Sequence, residues 1–308
     1  MKKRQRKTDH ELTRFQCMWK AVKMELHQNK SSFAVYVVLR ALVILVMIRQ
    51  LLNQNYEYVF LCILVLLLFI IPSLIQVNFK IELPTTLEIV ILLFIFAAEI
   101  LGEISEFYVF FPFWDTMLHT LNGFLAAAIG FSLVMILNDD ERAAIHLSPF
   151  FLALVAFCFS MTIGVIWEFF ECLMDLLFGL DMQKDTIIHT ISSINLDPTG
   201  GNHPYAIRDI TSTVVNGQDL GINGYLDIGL LDTMEDLLVN FIGALVFSVI
   251  GFFYVKHRGK GHFVSRFIPR RKKRENDYLA IVEQDTERSS ESIQVSDSGC
   301  TTAASENS

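Results

Sequence analysis

Phe113-Trp-Asp-Thr-Met-Leu-His-Thr-Leu-Asn-Gly-Phe-Leu-Ala-Ala-Ala-Ile-Gly-Phe-Ser-Leu-Val-Met-Ile-Leu137 is an apolar run broken near its start by an acid and an imidazole. It is long enough to cross a bilayer as a helix. Asp115 and His119 are spaced i, i+4 and leave one face of that helix, and Asn122 and Gly123 extend the face by a turn. Ionisable side chains are costly at membrane depth and by default mark function there. Two expectations follow together: a membrane protein, and a polar site inside it.

Runs of the same kind recur in a chain that is 52% hydrophobic, holds 26 Phe and has a mean hydropathy of +0.42. They predict an all-α, polytopic membrane bundle of about six transmembrane helices with a small hairpin in its extracytoplasmic loop. The helices are placed at 33–52, 58–77, 85–103, 112–137, 149–172 and 233–255, with edges good to a few residues. The five cysteines are scattered and form no Cys-x-x-Cys pair, so neither a disulfide framework nor a thiolate zinc site is indicated.

The formal net charge of −8 is segregated rather than spread. Basic residues crowd both ends of the apolar region, while acids fill one set of loops and the tail. This excludes nucleic acid as a partner and points to the lipid bilayer, with anionic head groups at the basic termini. Residues 1–32 read as a basic, cytoplasmic, amphipathic segment, with Leu12, Phe15, Trp19, Val22 and Leu26 at helical spacing. Its alternative is a solvated basic arm. No short apolar core with a cleavage site follows the start, so the first membrane helix is expected to direct insertion.

A basic juxtamembrane segment, 256–274, follows the transmembrane domain of 33–255, and 275–308 reads as a disordered, acidic, Ser-rich cytoplasmic tail. Lys80 and Arg142 fall on the side of the basic ends, whereas the opposite loops hold only Lys184 and Arg208. By the positive-inside rule both termini of this multi-pass membrane protein are expected in the cytoplasm. The long connection 179–231 then lies outside. Its turn signals (Asp197-Pro-Thr-Gly-Gly201, Asn216-Gly217, Asn223-Gly224) and the strand-like Ile210–Val215 suggest an ordered cap with a hairpin.

This topology gathers the acids at one depth. At about 1.5 Å per residue, Asp115 and His119 lie roughly 5–10 Å below the outer surface. Trp167-Glu-Phe-Phe-Glu171 stands near the outward exit of the fifth helix, with Asp175 a turn beyond. Asp232, Asp236 and Asn240 share one face of the sixth, with Gly243 below them; Glu99 and Glu103 end the third. The candidate catalytic residues are Asp115, His119, Glu168, Glu171, Asp236 and Asn240. Those for a divalent metal ion are His119, Glu168, Asp232 and Asp236: a hard, oxygen-rich set suited to magnesium, manganese or calcium and, with the imidazole, to zinc. The same groups suit general acid–base work, and Asp115 is placed to orient the His119 ring. Against this stands a bland reading, in which interfacial acids face water and deeper polar groups glue helices together. Gly123 and Gly243 are assigned to close helix packing. In the first helix, Arg40 and Arg49 read as a snorkelling cation and a possible counter-charge to the acids.

Asp115-x-x-x-His119, Trp167-Glu-x-x-Glu171 and Asp232-x-x-x-Asp236 with Asn240-x-x-Gly243 resemble the YjdF-like family of bacterial integral membrane proteins, which has no assigned activity. More distantly, Asp115, His119, Glu168, Asp236, Asn240 and Gly243 are similar in order to the motifs of VanZ-like proteins. Thr116 and the long outer loop depart from that second pattern. The resemblance implies a bacterial cell-envelope protein, in the plasma membrane, with an unassigned polar site. Three functions compete: an enzyme acting, with metal assistance, on a lipid or lipid-linked envelope substrate; an ion- or proton-coupled transporter; and a non-catalytic envelope or partner-binding protein.

Overall fold

Long apolar helices dominate the chain, as the hydropathy requires. The structure, a computed structural model, describes residues 14–138, 147–257 and 264–286. The tip of the loop around Arg142, the first thirteen residues, 258–263 and the tail beyond 286 lie outside the described residues. Among those described, five helical stretches are long and apolar enough to cross a membrane: Lys30–Leu52, Tyr56–Asn78, Trp114–Leu137, Pro149–Phe178 and Leu230–Lys256. The remaining expected span is helical too, but changes character midway: Thr85–Ile95 is α-helical and runs directly into a π-helical stretch, Phe96–Ile104. The protein is a polytopic helical membrane protein, and its chain divides into two compact units.

The first unit holds α1 (Arg14–Leu26), α2 (Lys30–Leu52), α3 (Tyr56–Leu68), α4 (Ile71–Asn78), α5 (Thr85–Ile95) with its π-helical continuation, α6 (Phe107–Phe110) and the C-terminal residues. Tyr36, Leu39 and Val43 of α2 pack on Cys62, Val65 and Phe69, and on Leu92 and Ile100. The outer faces remain apolar: Val38, Leu45, Leu52, Phe60 and Leu67 are exposed, as lipid-facing residues must be. Arg40 donates to the Tyr36 hydroxyl and lies over its ring, so this cation is held within its own helix.

Residues 275–286, expected to begin a disordered tail, are instead structured. β8 (Arg270–Arg271) pairs antiparallel with β1 (Ile81–Glu82), and a helix covers 278–286. Tyr278 and Leu279 pack beside Ala21, Val22 and Val77, and Val282 is fully buried. Lys272, read from the sequence as one more juxtamembrane cation, forms a buried ion pair with Glu25, while Lys80 and Asp277 meet at 2.9 Å. Burial pushes the Glu25 carboxyl up, and the Lys272 ammonium opposes that shift.

The second unit is built on α7 (Trp114–Asn138), α8 (Pro149–Phe178) and α9 (Leu230–Lys256). Ser148 caps α8 by accepting the N–H of Phe151 at 3.2 Å, Pro149 opens it, and Gly179 ends it at φ +64°. The connection to α9 is a chain of short strands: β2 (Thr186–Ile188), β3 (Ile191–Ser193), β4 (Tyr205–Ile207), β5 (Val214–Val215), β6 (Gln218–Asp219) and β7 (Tyr225–Asp227). β2 pairs with β7, β3 with β4 and β5 with β6, all antiparallel. The hairpin turns at Asn216-Gly217, both at positive φ, so only Val214 and Val215 of the strand-like Ile210–Val215 are extended in a ladder. Asp197 accepts the backbone N–H and hydroxyl of Thr199, which hold its carboxyl below the usual range.

Candidate functional site

One end of each helix of the second unit meets the others: the first turns of α7 and α9 and the last turns of α8. From α7 comes His119, 7% exposed, and from α8 Glu168 and Glu171 at 4% and 7%. From α9 comes Asp236, 3% exposed. One ligand atom from each of these four lies within 4.8 Å of the other three. Asp115, Asp232 and Asp236 form a second group on the same criterion, and its first two members are only partly buried.

The His119 ring is ringed by carboxylates. Its Nε2 is 3.5 Å from Asp115 Oδ1 and 3.8 Å from Asp236 Oδ2, and its Nδ1 is 3.7 Å from Glu168 Oε1. These gaps are long for direct hydrogen bonds. Atoms that each ligate one ion at about 2.0–2.2 Å stand roughly 3–4 Å apart, which is the spacing seen. Glu171 Oε1 accepts the Trp167 indole N–H at 2.8 Å, across one helical turn. Glu168 Oε2 and Asp236 Oδ2 are buried and meet no donor at hydrogen-bond geometry, although the Thr233 hydroxyl lies near the Glu168 carboxyl. Burying such oxygens unsatisfied costs about 1–3 kcal/mol each, and more when they are ionised. Among the described residues no lysine or arginine makes an ion pair with any of the five carboxylates.

Neighbouring polar groups brace the rim. Asp232 Oδ2 accepts the backbone N–H of Lys184 at 2.7 Å. Asp175, one turn past Glu171, accepts those of Met182 and Gln183 at 2.7 and 2.9 Å, and Gln183 donates to the Thr233 hydroxyl. Sequence reasoning left Asp175 open between the gathered acids and water and passed over Gln183 and Thr233; the i, i+4 spacing of Asp175 after Glu171 was the available signal. His189 bonds the carbonyl of Ile210 at 2.9 Å and, with Asp197, stays within the loop. Glu99 and Glu103 belong to the π-helical stretch of the first unit and to neither ligand group.

Asn240, a candidate catalytic residue by sequence, is placed differently. Its Oδ1 accepts from Asn122 Nδ2 at 3.3 Å and its Nδ2 reaches Met161 Sδ at 3.7 Å. It is 1% exposed. Below it the helices touch backbone to backbone. A Cβ on Gly123 would sit 2.1 Å from the Asn240 carbonyl oxygen, and one on Gly243 2.0 Å from that of Thr120. Ser160 donates to the Gly123 carbonyl at 2.7 Å, and Phe131 and Phe247 fill the space deeper still. The polar cluster is thus closed on its inner side.

Fold and site together define a class: a polytopic helical membrane protein with a buried histidine–carboxylate cluster where three helix ends converge. Residues 34–257, well over half of the chain, match the family described as predicted membrane protein (DUF2238), and the chain belongs to that family. The match fits the YjdF-like resemblance; the VanZ-like one rests on the motifs alone. No curated protein and no solved structure matches the chain.

Proposed function

We propose that the cluster is a divalent-cation site and that the protein is a membrane-embedded enzyme acting on a lipid or lipid-linked group of the cell envelope. The observation that carries this is the pair of buried, partnerless oxygens, Glu168 Oε2 and Asp236 Oδ2, beside His119 and Glu171. A crowd of buried carboxylates without a basic partner is unstable unless protons or a cation compensate it. Four donors from three helices at ligand spacing suit a cation. His119 gives one ring nitrogen to the ion and turns the other toward a carboxylate, which fixes the tautomer. The cation supplies Lewis-acid polarisation when bound, and the partly exposed Asp115 and Asp232 are the groups within reach of water and substrate.

The scarcity of Lys and Arg in the 179–231 loop, against the basic chain ends, supports an extracytoplasmic opening with cytoplasmic termini in a bacterial plasma membrane. Exposed Arg270 and Arg271 suit anionic head groups. The close Gly123–Asn240 and Gly243–Thr120 contacts speak against a transporter, which needs polar groups continuing toward the other side. The test is to incubate the purified protein with an envelope lipid extract, with manganese or with chelator, and follow the lipids by mass spectrometry. A cation-dependent product, lost in Glu168→Gln, is expected. An unchanged lipid profile with a fully cation-loaded protein would remove the enzyme reading.

A further inference from the structure

We propose that the site holds two divalent cations, bridged by the carboxylate of Asp236. This rests on the cation reading above and extends it.

The ionisable side chains divide into two ligand groups, not one. His119, Glu168, Glu171 and Asp236 form the enclosed group; Asp115, Asp232 and Asp236 form the more open one. Asp236 alone belongs to both, and a carboxylate has a second oxygen with which to bridge. Its position on α9 explains how. Asp232 precedes it by one turn on the same face, while His119 and Glu168 approach from α7 and α8. Each group contains a residue with a buried oxygen lacking a hydrogen-bond partner: Glu168 in the enclosed group and Asp236 in both.

Charge points the same way. With all five carboxylates ionised, one dication leaves three negative charges and two dications leave one, and the Lys184 ammonium near Asp115 and Asp232 offsets them further. Oxygen donors with a single imidazole favour magnesium or manganese over softer metals. Carboxylate-bridged pairs stand about 3.5–4 Å apart, a spacing that clamps both the attacking and the leaving oxygen of a displacement. The asymmetry in burial divides the labour: the enclosed cation is held by protein, and the outer one keeps positions for water and substrate.

The experiment is manganese loading of the full-length protein in detergent, with ions per chain from equilibrium dialysis and coupling from electron paramagnetic resonance. Two ions per chain with an exchange-coupled multiline spectrum are expected. Asp232→Asn, a member of the outer group alone, should drop to one ion and a simple six-line spectrum; should that variant fail to purify as a single species, Asp115→Asn, whose Oδ1 also stands 3.5 Å from His119 Nε2, tests the same group. One ion in the wild type overturns the pair and leaves the single-cation reading standing. No ion overturns both. Two uncoupled ions overturn the bridge, and two coupled ions in both outer-group variants overturn the assignment of that group.

Discussion

His119 Nε2 and Asp236 Oδ2 stand 3.8 Å apart, on helices that belong to opposite ends of the second unit's sequence. That approach depends on α7 and α9 crossing at two glycines. Gly123 lies against the Asn240 carbonyl and Gly243 against that of Thr120. The glycines bring the backbones close enough for side chains one turn above to share a pocket.

Substituting either glycine by alanine should therefore damage the fold before it touches any chemistry. The added Cβ meets backbone oxygen at 2.0–2.1 Å, where no flexible side chain can give way. A cost of about 3 kcal/mol or more is expected, at or beyond the upper end for overpacking. Fluorescence-detected gel filtration after graded heating checks it: Gly243→Ala should aggregate well below the wild-type temperature.

Asn240 separates the packing role from the cation role. Its amide is occupied by Asn122 and Met161, so Asn240→Ala should lower thermal stability by about 1–3 kcal/mol, as for a lost buried hydrogen bond. The folded fraction should still bind manganese with near wild-type stoichiometry. Dialysis of the monodisperse peak measures this, and complete loss of the ion there would make Asn240 part of the site.

The C-terminal segment offers a third check, within the first unit. Glu25 and Lys272 are buried together, with side-chain exposures of 1% and 2%. Replacing only Lys272 by Met strands the carboxylate, at about 3–5 kcal/mol. Limited trypsin digestion should then cleave near Arg270 and Arg271 far faster than in the wild type. The double change Glu25→Leu with Lys272→Met should restore much of the protection, because no lone charge remains buried.

What could be read from the sequence divides along the same lines. Asp115 with His119, Glu168 with Glu171 and Asp232 with Asp236 were legible because helical periodicity fixes each pair on one face, and apolar surroundings make every acid conspicuous. The Asn216-Gly217 turn was legible because few other residues accept two successive positive φ angles. Asn240 shows the limit of spacing: it shares the site face, and the Asn122 and Met161 partners of its amide lie on other helices, which spacing cannot reveal. Glu25 with Lys272 was hidden by a separation of 247 residues and by the basic company of both. The one acid of α1 and the Tyr278, Leu279 and Val282 triplet in an otherwise polar tail were the faint signals.

The central claim is that cations, not protons alone, compensate the carboxylates around His119, and the thermal midpoint of Asp236→Asn tests it most directly. In chelator, removing one of several crowded negative charges should leave the variant as stable as the wild type or more so. With manganese at about 100 times its dissociation constant, one site adds about 2.7 kcal/mol to the wild type, a rise of roughly 5 °C or more. The variant should gain little, so the order of the two midpoints reverses on adding the ion. Wild-type protein whose midpoint is the same in chelator and in saturating manganese or magnesium would contradict the account.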